Sequence, residues 1–306
     1  MSFSYRAYGL SLASEEELPE LFPAEPSSDP DVSFRLSPGP FAKPDDADWY
    51  HDDRADDDVV WRRFARTPGG FLVRFTNQSD FTLDSSGRAI EAFSRGARPE
   101  ALRHQLLDHL LPLALDLRGS RGLHATAVAT PHGVVAFLGA SGAGKSTLAA
   151  RFVRSGFPLV ADDCLVLRVE GPDVLTIPGY PGLRLLTDSF ETIFDTGPET
   201  EPTYAKRRVA TGELDVVERP LRQLILLESA GADGGARLTP ISQAAAVLAM
   251  MSHSFGLTPL SPSSIQGRLA FFATVAPRIA SARLSAPRDL SRLSEVEELV
   301  LRTLAL

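Results

Sequence analysis

The hydrophobic and polar positions change rhythm near residue 95. Before that point apolar residues come in short runs broken by turn formers. FLVRFTNQSDFTLD, Phe71–Asp84, alternates over two stretches, and Ser85–Gly87 behind it predicts a turn between strands. Seven prolines in the first fifty residues leave no room for a long helix. Past Ser94–Pro99 the spacing becomes helical. Leu102, Leu106, Leu107, Leu110 and Leu113 share one face, and the pattern stops at Arg118–Gly119.

The next segment predicts strand, strand, glycine loop, helix and strand in LHATAVAT, GVVAFLG, ASGAGK, STLAARFVRSG and FPLVADDCLVL. Further strands are predicted at LRLL and LRQLILLE. Helices are predicted at SQAAAVLAMMSHS, SIQGRLAFFATVA and LSRLSEVEELVLRTL. There is no internal repeat. The pattern predicts a smaller, mainly β domain over 1–95 and an α/β domain over 96–306.

Composition narrows the class. A 43% hydrophobic content with 17 Phe supplies a core, which excludes wholesale disorder. No run of about 18 apolar residues is present, so no spanning helix is expected. The opening MSFSYRAYGLSLASEEE has one Arg and no apolar block, unlike a secretory signal. The single cysteine, Cys164, excludes an internal disulfide and sits in an apolar stretch as a core residue. A cytoplasmic protein is expected.

The net charge of −8 is local: eight Asp stand against one Arg between Asp45 and Asp58. The remainder is nearly neutral, which argues against nucleic acid as a partner. The acidic run reads as a solvated loop, with capture of a basic peptide as the functional option. Only three of the 31 basic residues are lysine: Lys43, Lys145 and Lys206. Where arginine is the default, a lysine marks a place that calls for a compact ammonium.

Gly139, Ala140, Ser141, Gly142, Ala143, Gly144, Lys145 and Ser146 fit G-x-x-x-x-G-K-S/T without a mismatch. The glycines let backbone N–H groups converge on phosphate oxygens, and Lys145 adds a point charge for the β- and γ-phosphates. Ser146 offers a hydroxyl to Mg²⁺, and the following helix offers its positive end. A strand before and an amphipathic helix after make nucleoside triphosphate binding the strongest reading of the chain.

Asp162 and Asp163 end FPLVADD soon after the loop. Carboxylates there suit metal coordination and activation of an incoming hydroxyl, one acid for each task. His124 opens the strand upstream and alone reads as an ordinary packed histidine. Lys206, Arg207 and Arg208 form a dense basic triplet in a polar context. They are expected on a mobile loop that brings positive charge to the transferred phosphoryl group or to an anionic substrate.

LHATAVA, GVVAFLGASGAGKSTLA and GFPLVADDCLVL together resemble the kinase domain of HPr kinase/phosphorylase. The resemblance is to the HPr-kinase-like branch found beside peptide-modification genes, some members of which phosphorylate a serine of lasso-peptide precursors. It spans Leu123 to about Leu167. The opening SYRAYGLSLASE, the PGYPGLRL segment and the KRR triplet are similar to that branch as well. The resemblance implies an α/β fold: a P-loop kinase domain of the HPr kinase/phosphoenolpyruvate carboxykinase type beside a smaller mainly β N-terminal domain. It maps the nucleotide site onto Gly139 to Thr147, with ATP and Mg²⁺ as cofactors. An active-site histidine falls on His124. Asp162 becomes the general base, and Asp163 with Ser146 serves the metal. Homo-oligomers are implied too, although no stretch marks an interface. The Glu-containing signature of bifunctional HPr kinases is not recognisable around Pro181–Thr187. Phosphorylase activity and HPr as substrate therefore do not follow.

The expectation is a kinase that moves the γ-phosphoryl group of ATP to a serine-type hydroxyl of a peptide or protein. The alternatives are a small-molecule hydroxyl kinase and an ATP-binding switch or scaffold that hydrolyses slowly. A decarboxylating carboxykinase is disfavoured, because no second Lys and His cluster stands near the acid pair. Nothing in the sequence calls for a membrane.

Overall fold

The computed structural model describes residues 2–42, 48–55, 57–180, 182–194, 206–209, 217–229, 235–255, 262–287 and 289–304. The chain forms two compact units, Met1–Ser120 and Arg121–Leu306.

The first unit carries β1 (Phe3–Ala7), β2 (Leu10–Ser14), β3 (Phe22–Pro23), β4 (Val32–Leu36), β5 (Trp49–Arg54), β6 (Val60–Thr67), β7 (Gly70–Phe75), β8 (Ser79–Asp84) and β9 (Ala89–Ser94). Among the described residues these make one sheet, ordered β3-β1-β2-β4-β9-β8-β7-β6-β5. Period-two alternation sorts its faces. Phe64, Val73, Phe81 and Ala92 stand opposite one another across four strands, and all are buried.

A helical segment follows: α1 (Pro99–Gln105), a π-helical turn over Leu106–Leu110, and α2 (Leu111–Leu117). The sequence pattern predicts that the second domain opens at residue 96. In the structure this segment belongs to the first unit. Gln105 accepts from Ser79 Oγ and donates to Gln78, Arg103 pairs with Glu20 at 2.9 Å, and Arg118 pairs with Asp31 at 2.7 Å. A Cβ on Gly87 would lie 2.6 Å from the Ala114 carbonyl, so this turn has room only for glycine. The leucine stripe is where periodicity placed it; its partner is the β-sheet before it.

The acidic window is partly neutralised by its neighbour strand. Asp52 stands opposite Arg63 and Asp53 opposite Arg62, with ion pairs at 2.8 and 2.6 Å. Where it is described, Trp49–Arg54 of the run is the edge strand β5, while Asp48, Asp57 and Asp58 are exposed outside it. Residues 43–47 and 56 lie outside the described residues.

In the second unit come β10 (Arg121–Leu123), β11 (Ala125–Thr130), β12 (Gly133–Leu138), α3 (Lys145–Arg154), β13 (Leu159–Ala161), β14 (Leu165–Glu170) and β15 (Asp173–Ile177). Then follow β16 (Leu183–Leu186), α4 (Thr187–Phe194), β17 (Lys206–Val209), β18 (Arg219–Ser229), β19 (Arg237–Pro240), α5 (Gln243–Ser252), α6 (Pro262–Val275), β20 (Ala280–Ala286) and α7 (Leu293–Leu304). The main sheet runs β10-β14-β15-β18-β12-β11-β13, and β20 adds to β18 in parallel.

Alternation along β12 divides the interior. Val134, Ala136 and Leu138 pack with Ala246 and Met250 of α5 and Phe272 of α6. Val135 and Phe137 pack with Leu148 and Phe152 of α3, Phe190 of α4 and Val300 of α7. Strands buried on both faces read as near-continuous apolar runs, which is why GVVAFL and ATAVAT were legible. The result is a mixed α/β unit with helices on both faces of one sheet. Among the described residues no helix is long and apolar enough to cross a membrane.

Candidate functional site

The loop between β12 and α3 holds the glycine motif. Gly139 is buried at its base; a Cβ there would meet Ala143 Cβ at 3.0 Å and the Leu227 carbonyl at 3.3 Å. Gly144 has φ +94° and is the N-cap of α3, a left-handed position that suits glycine. Ala140, Ser141 and Gly142 are exposed at the crest, and Ala143, Gly144, Ser146 and Thr147 are half-buried. The α3 N-terminus thus points its free N–H groups at the space over the loop.

Lys145, the first residue of α3, is buried. Its Nζ donates to the carbonyls of Gly139 at 2.9 Å and Ala140 at 3.2 Å, and stands 3.1 Å from His124 Nε2. On the other side of the ring, His124 Nδ1 lies 3.2 Å from the Asp163 carbonyl. A carbonyl only accepts and an ammonium only donates, so the contacts fit the Nδ1–H tautomer. Burial, then the Lys145 charge, holds this imidazole below its ordinary pKa, against the opposing pull of Asp163.

The acid pair does not lie within a continuing strand, as its sequence suggested. Strand β13 stops at Ala161, and Asp162–Asp163 bend the chain before β14. Asp163 has φ +60°, a left-handed conformation uncommon outside glycine. Asp162 turns inward. Its Oδ1 accepts from Thr126 Oγ1 at 2.6 Å and Ser146 Oγ at 3.0 Å, and its Oδ2 accepts from the Arg184 N–H at 3.2 Å. Burial and the neighbouring Asp163 push its carboxyl up to about 6, against the pull of those three hydrogen bonds. The Asp163 carboxylate is half-buried and, among the described residues, accepts no hydrogen bond.

The basic triplet is a correction. Lys206, Arg207 and Arg208 form strand β17, not a loop, and pair antiparallel with β16. Arg208 stands opposite Arg184, whose N–H holds Asp162. Backbone pairing outweighs the polar composition of the triplet. The flanking residues 195–205 and 210–216 lie outside the described residues.

The structure therefore gathers His124, Gly139–Ser146 and Asp162–Asp163 into one site. It adds Thr126 and the backbone N–H of Arg184, neither of which the sequence pattern singles out as a site residue. Thr126 carried a sequence signal, a hydroxyl inside the apolar run ATAVAT, and it is fully buried. The Arg184 N–H arrives through tertiary structure alone. Cys164 is buried beside Gly122, as expected of a core thiol.

For a metal, the neighbouring oxygens of Ser146 and Asp162 are a hard-donor pair of the kind Mg²⁺ prefers. Among the described residues no cluster of three or more His, Cys, Asp or Glu side chains is placed to hold an ion. A cation shared with a triphosphate calls for only one or two protein oxygens, so the residues fit.

No protein-family model matches the chain. No curated protein matches it either. Among solved structures, the HPr(Ser) kinase/phosphatase from Coxiella burnetii is similar at a TM-score of 0.30 and 14% identity, over 60% of this chain and 97% of that one. Likeness at that level carries no weight for fold or activity; the residues of the site have to carry the reading.

Proposed function

We propose that the second unit is a nucleoside triphosphate-dependent phosphotransferase acting on a hydroxyl acceptor. One observation carries this reading: the Ser146 hydroxyl at the start of α3 is hydrogen-bonded to the buried Asp162, beneath a complete glycine-lysine loop. A structural turn has no use for that combination of loop, lysine and paired acids.

The loop N–H groups and Lys145 hold the phosphates. Ser146 and Asp162 would hold Mg²⁺, whose charge, when bound, offsets the charge on the transferring group. The acceptor oxygen attacks the γ-phosphorus, the bond to the β–γ bridging oxygen breaks, and the nucleoside diphosphate leaves. The acceptor proton passes to Asp163, the acid whose carboxylate has no hydrogen-bond donor among the described residues. These roles for the acid pair are the reverse of those implied by the family resemblance. Asp162, with both oxygens engaged, is better suited to the metal side than to proton transfer.

ATP is the proposed donor, and a serine-type hydroxyl on a peptide or protein the proposed acceptor, with a lasso-peptide precursor as the first candidate. The β-rich first unit is proposed to recognise that partner, and the basic triplet to serve the anionic groups. Incubating the full chain with MgATP and a serine-containing precursor peptide tests this. Phosphopeptide should form in proportion to ADP. ADP formed at the same rate with and without every hydroxyl acceptor offered would instead indicate a hydrolytic switch.

A further inference from the structure

On the reading that Asp162 serves a divalent cation bound with the triphosphate, we propose that Thr126 is a positioning residue that makes the site selective for a small cation such as Mg²⁺ over a larger one such as Ca²⁺. Together with Ser146 it fills one oxygen of the Asp162 carboxylate, which leaves the acid a single position to offer.

Thr126 stands within β11 between Ala125 and Ala127 and is fully buried. On one side β12 pairs with β11 and sets Phe137 opposite Thr126. On the other side β13 sets Ala161, the residue before Asp162, opposite Ala127. The sheet thus holds the Thr126 backbone next to the point where β13 gives way to the acid pair. A β-branched side chain has little rotamer freedom, so its hydroxyl is a fixed donor. A buried hydroxyl needs a partner, and a main-chain carbonyl ordinarily supplies it. Thr130 and Thr176, the other buried threonines among the described residues, follow that rule and donate to the carbonyls of Gly133 and Arg219. Thr126 donates instead to a carboxylate, at 2.6 Å, the short distance of a charge-assisted hydrogen bond.

A carboxylate has about four acceptor positions, two on each oxygen. On Oδ1 of Asp162, Thr126 takes one and Ser146 the other. On Oδ2 the Arg184 N–H takes one. Among the described residues one position is left, on Oδ2, so Asp162 ligates through one oxygen only. Mg²⁺ keeps several waters and calls for no more than that, whereas Ca²⁺ gathers more oxygens and accepts both from one carboxylate. Ser146 is a donor towards Asp162, so the lone pairs of its oxygen stay available. Without the Thr126 hydroxyl, Oδ1 is held by Ser146 alone, and the carboxylate is free to turn both oxygens to one cation.

The test measures binding rather than turnover. MgADP and CaADP are titrated calorimetrically into the full chain, wild type and variants. Thr126→Val keeps the shape of the side chain and removes the donor. It should cut the preference for MgADP over CaADP by about tenfold, the scale on which loss of an outer partner of a metal ligand is felt. Thr126→Ser restores the hydroxyl and should restore the preference. An unchanged preference in Thr126→Val, or an equal loss in Thr126→Ser, overturns the proposal while leaving phosphotransfer intact. The wild-type chain gives a second measurement that does not depend on Thr126→Val folding. With MgADP, the infrared carboxylate bands that disappear in Asp162→Asn should show the wide splitting of ligation through one oxygen. A narrow splitting, or one that MgADP leaves unchanged, overturns the proposal. A wild-type chain that binds ADP with neither cation overturns the phosphotransfer reading, and this inference with it.

Discussion

Ser146 Oγ donates to Asp162 Oδ1 across 3.0 Å, tying the first turn of α3 to the end of β13. The same carboxylate takes Thr126 from β11 and the Arg184 N–H from β16. One buried acid thus fixes four elements around the glycine loop. Loss of its charge should be felt as a change in metal requirement before it is felt as a change in nucleotide affinity.

Asp162→Asn and Asp163→Asn should consequently differ. The first should raise the Mg²⁺ concentration needed for half-maximal turnover by about tenfold, as loss of a charged ligand does. The second should bind MgATP normally and lose about a hundredfold or more in turnover, the usual contribution of a general base. Isothermal titration and Mg²⁺-dependent kinetics on both variants separate the two effects. If Asp163→Asn keeps wild-type turnover, Asp163 is not the base.

Lys145→Ala should lower triphosphate turnover by about a hundredfold or more, as loss of a preorganised cation does. The lysine is buried and donates to two loop carbonyls, so the variant should also lose about 1–3 kcal/mol of stability through unpaired acceptors. Thermal denaturation alongside kinetics measures both. Full activity in this variant would remove the glycine loop from the chemistry.

The parts of the site that were legible in the sequence are those built by contiguous residues. Gly139–Ser146 is a local backbone design, and its spacing alone carries the expectation of phosphate contact. The acid pair was legible as a site but not as geometry: the left-handed bend at Asp163 gives its two members separate surroundings. Arg184 was not legible, because a backbone N–H leaves no residue signature. The same applies to Asp52 and Asp53, whose arginine partners are neighbours only through the register of β5 on β6. The leucines of α1 and α2 announced a helix, but amphipathic spacing does not say which core receives it.

Stability should carry the mark of Asp162 in its pH dependence. Its carboxyl, raised to about 6 from an ordinary 3.8, binds a proton in the folded chain where the unfolded chain has released it. Folding stability from this group is therefore full below about pH 4 and is lost as pH rises through about 6. The loss is on the order of 1–3 kcal/mol. Thermal midpoints across pH 4–7 should fall more steeply for the wild type than for Asp162→Asn. Parallel slopes would mean the carboxyl is not raised.

Asp31 should behave in the opposite sense. A hydrogen bond from the Ser11 N–H leads the causes that hold its carboxyl below the ordinary range, with Arg118 helping. Its stabilisation is present above about pH 4 and is lost as pH falls through the lowered value. It is half-exposed, so Asp31→Asn should cost only about 1 kcal/mol or less at pH 7. That cost should vanish near pH 2 in equilibrium unfolding.

Removing charge at Lys206, Arg207 and Arg208 together should lower turnover by about tenfold, or about 1.4 kcal/mol of transition-state stabilisation. Strand β17 pairs with the strand whose backbone holds Asp162, so the triple alanine variant should be compared with the triple glutamine variant. Loss in both reports charge. Loss in neither removes the triplet from catalysis.

The left-handed backbone at Asp163 sets selection for robustness against selection for activity. The residue that suits φ +60° best is glycine, which removes a steric penalty of about 1–2 kcal/mol. Glycine has no carboxylate. Laboratory evolution screened on heat resistance alone should therefore drift towards Asp163→Gly and deliver hardier, silent proteins, whereas a screen on turnover should hold the aspartate against its backbone preference.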